Sequence, residues 1–559
     1  MHPRRWALRT RKIAQITFLG FLVSALSAQV AEDRGRGIGF PEDWTHHRLK
    51  FSSAMLHQHP EIAVREPRAA IQLFKEALAQ SRPRPLNPVS APDFTAPASH
   101  PDWSFPLGTG RIALGMYPAK WNSDPTLPIT AANCTTDFVI YGLNVAGATG
   151  GQPGMIAFYN LYSGNTGTPL CGGGQPKVLF SYNTTTATGG RIQTSPVLSS
   201  DGKKVAFVET VVNNPKTTIF HVLTIPAIGS NGTATASVAP PAGKMTSLTI
   251  VANSDTRSSP WIDYPSDSAY VAADDGKLYK IHPVFTGAPA LVATAPWPIT
   301  IRAAGVFTSP VLDVNGDIYL GGGNGSIYTT NVNSPTPVVT SHAVGTNGQL
   351  NPAIIDSPLL DSGNSVFAIS SNDSTTSHSA VVVQMATTTL AEKARINIGQ
   401  GSTGGTAVNL YDGDFDNNFT TPGSGHLLVC GTASASTIPA TYLLPFNGSG
   451  NLTSAAANNV STSNAARCGP VTEFFNQNIG ASGTDFFFWG VTRNCVSGTN
   501  GCILSLANGV GGPNSPQEFG GTSGIIVDNN STSGQAHSIY FSTEGSPLNA
   551  VKLTQDLLN

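Results

Sequence analysis

Short apolar runs alternate with polar turns along most of this chain. From about residue 190 onward a repeated phrase carries the pattern: a Ser-Pro step opens a short apolar strand, a polar turn follows, and a second apolar strand comes next. The clear copies have prolines 64, 50 and 48 residues apart, at Pro196, Pro260, Pro310 and Pro358. Such regular spacing predicts one unit of short antiparallel strands per copy.

The turns between these runs support the strand assignment. Ser200-Asp201-Gly202 and Asn315-Gly316-Asp317 contain the residues that tolerate positive φ. Degenerate copies extend the series upstream to Asp137 and downstream to Phe541. Eight units of about 55 residues are typical of propeller blades with their loops. The sequence therefore predicts an all-β fold, a β-propeller of about eight blades over residues 102–559, with seven blades as the alternative.

A propeller ring must close, and the segments 102–107 and 111–114 are the candidates for a strand added to the last blade. Ahead of them, residues 29–101 form a leader. Its stretch Pro67–Gln80 predicts one helix with Ile71, Phe74 and Leu78 on one face, which we expect to pack on the body or on a partner. Six prolines between residues 81 and 101 predict an extended linker.

The first 28 residues differ from everything that follows. Basic residues between Arg4 and Lys12 precede an uncharged, mostly apolar run from Ile13 to Leu26 and then small residues. This order predicts a secretory signal peptide over residues 1–28 and a secreted or periplasmic protein. The run is shorter than the roughly 20 residues of a spanning helix, so we expect no membrane span in the mature chain.

Six cysteines follow the signal peptide, an even number that suggests disulfides in an exported chain. Pairing between neighbours in sequence is the simplest of the possible arrangements, because each bridge then closes a loop within one or two units. The candidates are Cys134, Cys171, Cys430, Cys468, Cys495 and Cys502.

Charge excludes one class of partner. After residue 100 the chain has 17 basic and 25 acidic residues, and its polar positions are filled by Gly, Ser, Thr and Asn. A nucleic-acid-binding surface needs clustered Lys and Arg, so we expect no nucleic acid partner.

The repeated phrase resembles a known family. Ser-Pro-x-(Leu/Ile)-Asp, with Ile318-Tyr319-Leu320-Gly321 and Asp275–Ile281, looks like the repeat of pyrroloquinoline-quinone-like (PQQ-like) propeller proteins, most clearly over residues 190–370. One copy departs, with Ser199 in place of the aspartate. The segments Glu42–His47, Asp102–Ser104 and Tyr411–Asp416 also resemble a group of secreted bacterial propeller proteins for which the resemblance implies fold and export but no activity.

Quinone chemistry is not expected from this resemblance. In quinoprotein dehydrogenases the cofactor lies between a tryptophan and a disulfide of adjacent cysteines, above a calcium ion. No two cysteines are adjacent here, and none of Trp261, Trp297 and Trp489 stands out as a platform. We therefore expect no cofactor, with calcium as the one open alternative.

The candidate calcium ligands are Asp412, Asp414 and Asp416, whose alternating carboxylates offer hard oxygen ligands. Asn417 and Gly423 stand where an EF-hand loop has glycine and glutamate, so an ordinary polar loop is the competing interpretation. The leader histidines His46-His47, His57 and His59 are a second, weaker metal candidate.

Catalytic signatures are missing from the sequence. It contains no G-x-S-x-G elbow, no H-E-x-x-H and no Walker-type loop. Single histidines of the body, such as His221, are expected to be surface or strand-end residues. The repeated aspartates Asp201, Asp263, Asp313 and Asp361 are expected to serve turns, and the aromatic residues Phe207, Tyr270, Tyr319 and Phe367 to pack between blades.

Three functional hypotheses follow. The first is a secreted, non-enzymatic binding or scaffold protein that holds an extracellular or envelope ligand, carbohydrate or protein, with propeller loops or the central channel. The second is an extracellular hydrolase or oxidoreductase whose site is assembled from several blades. The third is a structural module of an extracellular assembly that docks through the leader helix.

Overall fold

The computed structural model describes residues 39–555. The gaps within it are 52, 74–98, 124–131, 165–167, 214, 347–352, 362–364, 404–405, 420–422, 477–478, 480–482, 496–499, 509, 515–516, 530–534 and 536. The predicted signal peptide, most of the predicted linker, and Phe74 and Leu78 of the predicted helix lie outside the described residues.

Strands dominate the described chain. The first half contains β1 (Gly39–Glu42), β2 (Leu49–Lys50), β3 (Ser99–Pro106), β4 (Ala119–Ser123), β5 (Phe138–Gly142), β6 (Met155–Tyr159), β7 (Lys177–Tyr182), β8 (Arg191–Ile192), β9 (Val197–Leu198), β10 (Lys204–Val211), β11 (Thr217–Thr224), β12 (Met245–Ala252), β13 (Trp261–Asp263), β14 (Ser268–Ala273), β15 (Lys277–Ile281), β16 (Ile299–Thr300), β17 (Val311–Leu312), β18 (Asp317–Gly321), β19 (Ser326–Asn331) and β20 (Thr340–Ala343). The second half contains β21 (Leu359–Asp361), β22 (Ser365–Ser370), β23 (Ser379–Ala386), β24 (Glu392–Gln400), β25 (Asp414–Phe415), β26 (His426–Thr432), β27 (Pro439–Pro445), β28 (Asn458–Asn459), β29 (Thr472–Asn476), β30 (Thr484–Val491), β31 (Cys502–Ala507), β32 (Val510–Asn514), β33 (Ile526–Asn529), β34 (His537–Ser542) and β35 (Asn549–Gln555).

These strands form eight sheets, one per blade, which confirms the predicted β-propeller and selects eight blades over seven. Blades 1 to 4 contain β4 to β7, β8 to β12, β13 to β16 and β17 to β20; blades 5 to 7 contain β21 to β24, β25 to β28 and β29 to β32. Blade 8 contains β33 to β35 and takes its fourth strand from β3.

Closure of the ring uses the first of the two predicted segments. β3 pairs antiparallel with β35, from Ser99 opposite Gln555 to Pro106 opposite Asn549. The start of the propeller is thereby hydrogen-bonded to its end. Closed rings of this kind leave only short strand edges open to other chains.

The repeated Ser-Pro phrase marks the propeller axis. The backbone N–H of Ser195 donates to Oγ of Ser259 (2.8 Å), and that of Ser259 donates to Oγ of Ser309 (2.7 Å). In blade 1 the N–H of Tyr117 donates to Oγ of Ser195 (2.9 Å). These residues directly precede β4, β9, β13 and β17 of blades 1 to 4, and such inner strands of neighbouring blades contact one another, so they surround the axis. We call the end of the ring where these serines lie the mouth, and the opposite end the turn end.

Aspartates of the phrase lie at the turn end, as predicted. Asp201 accepts from the N–H of Lys203, Asp313 from Asn315 and Asp317, and Asp361 from Ser365. Each carboxylate satisfies backbone donors in its own turn, which explains its repetition. The predicted interblade aromatics are all buried: Phe207, Tyr270, Tyr319 and Phe367.

Disulfides join sequence neighbours, as predicted. The bridges are Cys134–Cys171, Cys430–Cys468 and Cys495–Cys502. They close loops with sequence separations of 37, 38 and 7 residues.

The leader contains more helical structure than the single predicted helix. A 3₁₀ helix covers Trp44–His47, and α1 (Ser53–Gln58), α2 (Glu61–Arg65) and α3 (67–73) follow. Ile71 of α3 is buried, and Ala69 of the same helix belongs to the hydrophobic cluster that joins the leader to the blades, so α3 packs on the protein's own core. Over the described residues, no helix has the length and apolar character needed to cross a membrane.

Candidate functional site

The axial channel is filled by the protein's own leader. β1 pairs antiparallel with β4 of blade 1, and β2 pairs parallel with β21 of blade 5, on the opposite side of the ring. β4 and β21 run from the mouth to the turn end. β1, antiparallel to β4, therefore runs towards the mouth, and β2, parallel to β21, runs back towards the turn end. We call residues 39–50 the leader hairpin; the 3₁₀ helix is its tip. Of the two predicted binding regions, the channel interior is therefore already occupied.

Apolar contacts hold this hairpin in place. Trp44 is 2% exposed and packs edge-on against Trp261 of blade 3, with ring centroids 5.7 Å apart. His47 stacks on Tyr117 of blade 1 at 5.2 Å. Trp44, Leu49, Phe51 and Leu56 belong to the largest hydrophobic cluster of the protein. Burying each such side chain contributes about 1.5–3 kcal/mol, so the hairpin is part of the core.

Arg48 pairs with two channel acids. Its Nη2 lies 2.6 Å from Oδ2 of Asp356, and its Nη1 lies 3.7 Å from Oδ2 of Asp412. The Arg48 side chain is 2% exposed, which places the whole group away from water. Burial raises the pKa of Asp412 well above its ordinary value, and Asp356 adds to that shift while Arg48 opposes it.

Lys50 forms a second group of ion pairs, with acids of blades 6 and 7. Its Nζ lies 2.9 Å from Oδ1 of Asp414 and 3.8 Å from Oε2 of Glu473. Despite the opposing effect of burial, Lys50 and His47 lower the pKa of Asp414. Burial also opposes the shift of Lys50, whose pKa is raised by Asp414 and Glu473. Asp414 is therefore neutralised by a cation of the leader, whereas burial raises the pKa of Glu473 well above its ordinary value.

Arg68 of α3 fastens the hairpin from the turn end. Its guanidinium donates to Oγ1 of Thr45 (2.8 Å) and to the carbonyl of Ile262 (3.1 Å). It also lies 4.2 Å above the Trp261 ring, a cation–π contact. One side chain thus ties the helix, the hairpin tip and blade 3 together.

The predicted calcium ligands are engaged with basic side chains. Asp412 and Asp414 face Arg48 and Lys50, while Asp416 pairs with Nδ1 of His426 at 2.7 Å. Within the described ranges, no three His, Cys, Asp or Glu side chains gather in a way that would hold a metal ion. Calcium binding stays a prediction that no observation tests.

The predicted leader histidines occupy two separate places. His46 and His47 lie at the hairpin tip, where Nδ1 of His46 accepts from the backbone N–H of Asp43. His57 lies in the last turn of α1, and Nδ1 of His59 lies 3.1 Å from Oε1 of Glu61. The two pairs therefore belong to different parts of the leader.

Above the hairpin tip the mouth remains open to solvent. A cavity of about 10 Å³, the space of one water molecule, separates Trp44 and Arg48 from the serine ring. Met116 lies against two of these serines, with Sδ 3.5 Å from Oγ of both Ser195 and Ser259. The mouth is therefore a shallow surface rather than a deep pocket.

Arginines are distributed around this mouth. Arg191 begins β8 of blade 2, and the others lie in the segments that lead into the first strands of blades 1, 3, 4 and 7, at Arg111, Arg257, Arg302 and Arg467. Arg257 and Arg467 are exposed. Burial raises the pKa of Tyr411, in the segment that leads into blade 6, and the charges of Arg257 and Arg467 oppose that shift. Acids accompany these arginines, since Asp255 and Asp274 lie near Arg257 and Glu544 lies near Arg111.

Glu544 is the buried acid of the mouth. Its side chain is 3% exposed, and Nη1 of Arg111 lies 3.4 Å from Oε2. Neither carboxylate oxygen has a hydrogen-bond partner among the residues that the structure describes. Burial raises the pKa of Glu544 to about 7, against the opposing charges of Arg111 and Arg467.

Glu544→Gln is expected to stabilise the protein at pH 8 but not at pH 5. A carboxyl whose pKa is raised in the folded state stabilises the protein fully below its unfolded-state pKa of about 4.3. That stabilisation is lost as pH rises through the folded-state pKa of about 7. Glutamine mimics the protonated form, so the advantage of the variant should grow by on the order of 2 kcal/mol between pH 5 and pH 8. Urea denaturation at both pH values measures it. The exposed Glu61→Gln is the matched control, and equal gains at both pH values would contradict the prediction.

Comparisons with known proteins concern the fold. No family model matches the chain, and no curated protein is detectably similar to it. Among solved structures, the Dos1 propeller has 10% identity and a TM-score of 0.47, covering 82% of this chain and 95% of its own. Saccharomyces cerevisiae Sqt1 has 11% identity and a TM-score of 0.45, covering 82% and 99%. BamB from Moraxella catarrhalis has 13% identity and a TM-score of 0.36, covering 74% and 94%. The finer PQQ-like resemblance stays a prediction.

Proposed function

We propose that this protein is an exported binding or scaffold protein whose arginine-lined mouth receives an acidic surface of a protein partner. The observation that carries the proposal is the occupied channel: the leader hairpin fills the axis, which leaves the loops of the mouth for external contacts. The proposal makes the mouth a binding surface and assigns it no catalytic step.

Charge favours an acidic partner. The channel cations Arg48 and Lys50 already have carboxylate partners, whereas Arg257 and Arg467 are exposed. Exposed arginines are enriched in protein interfaces because the guanidinium binds carboxylates in a bidentate manner. Attraction of this kind sets the rate and the specificity of association.

Shape favours a macromolecule over a small ligand. The axial cavity beneath the mouth holds about 10 Å³, far below the roughly 300–1,000 Å³ of small-molecule pockets, and the groove of about 590 Å³ beside Arg111 and Glu544 is open to solvent. A shallow rim built from several blades suits a flat protein surface instead. Three disulfides and the predicted signal peptide support export to an oxidising compartment, where such a partner would be met.

Charge reversal at the mouth tests the proposal. The double variant Arg257→Glu/Arg467→Glu is expected to weaken binding of a poly-glutamate peptide at low salt by roughly tenfold or more, because two attractive contacts become repulsive. The matched control is Lys203→Glu/Lys244→Glu, which makes the same change in net charge at the turn end. Calorimetric titration of the full exported chain measures both.

The outcomes separate the alternatives. Tenfold weaker binding in the mouth variant, with unchanged binding in the control, supports the proposal. Equal loss in both variants would show that net charge alone drives binding. Binding of dextran sulfate with no binding of poly-glutamate would replace the protein partner by an anionic carbohydrate, and both of these results overturn the proposal.

A further inference from the structure

Blade 2 contains a serine, a histidine and a glutamate connected in series, outside the mouth. Oγ of Ser247 lies 3.0 Å from Nδ1 of His221, and Nε2 of the same ring lies 2.9 Å from Oε2 of Glu209. The three residues come from β12, β11 and β10, which are adjacent in the sheet. From these contacts we propose that Ser247 is an activated nucleophile that hydrolyses acyl esters, with His221 as its general base.

The glutamate is held firmly in one position. Its carboxylate accepts from the backbone N–H groups of Thr186 (2.9 Å) and Ala187 (3.1 Å). A Cβ on Gly190 would lie 1.8 Å from Oε1 of Glu209, so this approach requires glycine. Although burial opposes the effect, bonds from His221 and Thr186 keep the pKa of Glu209 below its ordinary value. An ionised, fixed carboxylate is what orients a catalytic imidazole.

The histidine is fixed as well. His221 is 0% exposed, and its ring stacks on Phe207 at a centroid distance of 5.0 Å. Ionised Glu209 accepts a hydrogen bond from Nε2, which favours the tautomer with the proton on that nitrogen. Nδ1 is then free to accept the hydroxyl proton of Ser247. The carbonyl of Thr246, 3.3 Å from Nδ1, is the competing partner if that nitrogen carries a proton.

The serine is the accessible member of the series. Ser247 is exposed and lies directly opposite His221 in the strand register. β12 is the outermost strand of its sheet, so every second backbone N–H along it points away from the sheet. Such N–H groups next to Ser247 are the donors that would stabilise a developing oxyanion.

The proposed reaction balances with water as the second substrate. Ser247 Oγ bonds to the ester carbonyl carbon while its proton passes to Nδ1 of His221; the C–O bond breaks, and the departing alcohol takes that proton. Water then attacks the acyl-serine with the same assistance, which releases the carboxylic acid and restores Ser247. Glu209 is a positioning residue, since it acts through His221.

Labelling with a fluorophosphonate probe tests the proposal. In the folded full-length chain, Ser247 is expected to react about 10²–10⁴ times faster than an ordinary exposed serine, the range that general-base assistance provides. Ser341 is the internal control, because it is exposed on β20, the outermost strand of blade 4, opposite Tyr328 rather than a histidine. Peptide mass spectrometry identifies the labelled residue.

Two variants complete the test. Ser247→Ala is expected to abolish labelling and p-nitrophenyl acetate hydrolysis at this site without changing the unfolding midpoint, because the side chain is exposed. Glu209→Gln is expected to lower kcat for that ester by about tenfold or more with little change in KM, a split that a purely structural role would not produce. Labelling of Ser247 no faster than that of Ser341 would overturn the proposal, whatever the result at the mouth.

Discussion

Replacing Arg48 by methionine is expected to lower the free energy of unfolding by about 3–5 kcal/mol, the cost of leaving a buried partner charge uncompensated. The carboxylates of Asp356 and Asp412 face Arg48 inside the channel, where the adjoining cavity has room for only about one water molecule. Methionine retains much of the apolar stem, so the loss reports the charge rather than a cavity. Urea denaturation followed by tryptophan fluorescence measures the effect.

Two further variants make the Arg48 result specific. Lys277→Met breaks an exposed pair with Asp275 and is expected to change stability by less than about 0.5 kcal/mol. Adding Asp356→Asn to Arg48→Met should recover part of the loss, because it removes the unpaired carboxylate. A loss below about 1 kcal/mol in Arg48→Met would contradict the buried ion pair.

Asp102→Asn is expected to lower the free energy of unfolding by about 3–5 kcal/mol at pH 7. It leaves the buried ammonium group of Lys552 without its counter-charge at the seam of the ring, where β3 pairs with β35. Oδ2 of Asp102 lies 2.7 Å from Nζ of Lys552, and both side chains are 0% exposed. The pair joins β3 to β35, so its loss loosens the closure between the two ends of the propeller. Denaturation of the variant and the parent at matched pH measures the cost.

The pH dependence of this variant has a defined sign. Burial lowers the pKa of Lys552 to about 8, against the opposing effect of Asp102. The folded chain therefore binds fewer protons than the unfolded chain between about pH 8 and 10.4, so stability from this group rises with pH across that window. Without Asp102 the pKa of Lys552 should fall further, so the pH range over which stability rises should extend below pH 8. The loss of stability in Asp102→Asn should therefore shrink as pH rises from 7 to 9.

A neighbouring hydrogen bond is the control for the seam. Nδ2 of Asn549 donates to Oγ of Ser104 at 2.7 Å on the exposed side of the same strand pair. Asn549→Ala is expected to cost about 1 kcal/mol, as for a neutral bond, with no dependence on pH. Equal losses in Asn549→Ala and Asp102→Asn would show that the seam depends on strand pairing and not on the buried charge.

Much of the fold was predictable because its determinants are local. The Ser-Pro phrase repeats in sequence because its serine links one blade to the next around the axis, and its aspartate satisfies a turn within a few residues. Disulfide pairing was predictable for the same reason, since the three bridges join cysteines that are consecutive in the chain. The closing strand followed from the requirement that a ring of blades must close.

The site was not predictable because its contacts are remote in sequence. Arg48 and Asp356 are 308 residues apart, and no periodic pattern connects them. The segments Glu42–His47, Asp102–Ser104 and Tyr411–Asp416 supported a family resemblance without revealing their roles. In the structure they contribute the hairpin tip, the ring seam and the acids that face the hairpin.

His221 shows the same limit at a shorter range. It was expected at the surface or at a strand end, and it is instead buried in the middle of β11. Its partners Glu209 and Ser247 lie on the two neighbouring strands, and only the register of those strands brings the three side chains together. No spacing rule for catalytic motifs covers that arrangement.

The central claim is that the leader hairpin is a fixed part of the propeller axis, and hydrogen–deuterium exchange of residues 39–51 tests it most directly. We expect the β1 and β2 amides of the folded chain to be protected as strongly as those of the first strands β4 and β21, with which they pair. Arg48→Met should reduce that protection first in the hairpin. Exchange of residues 39–51 within seconds, while β4 and β21 remain protected, would contradict the account.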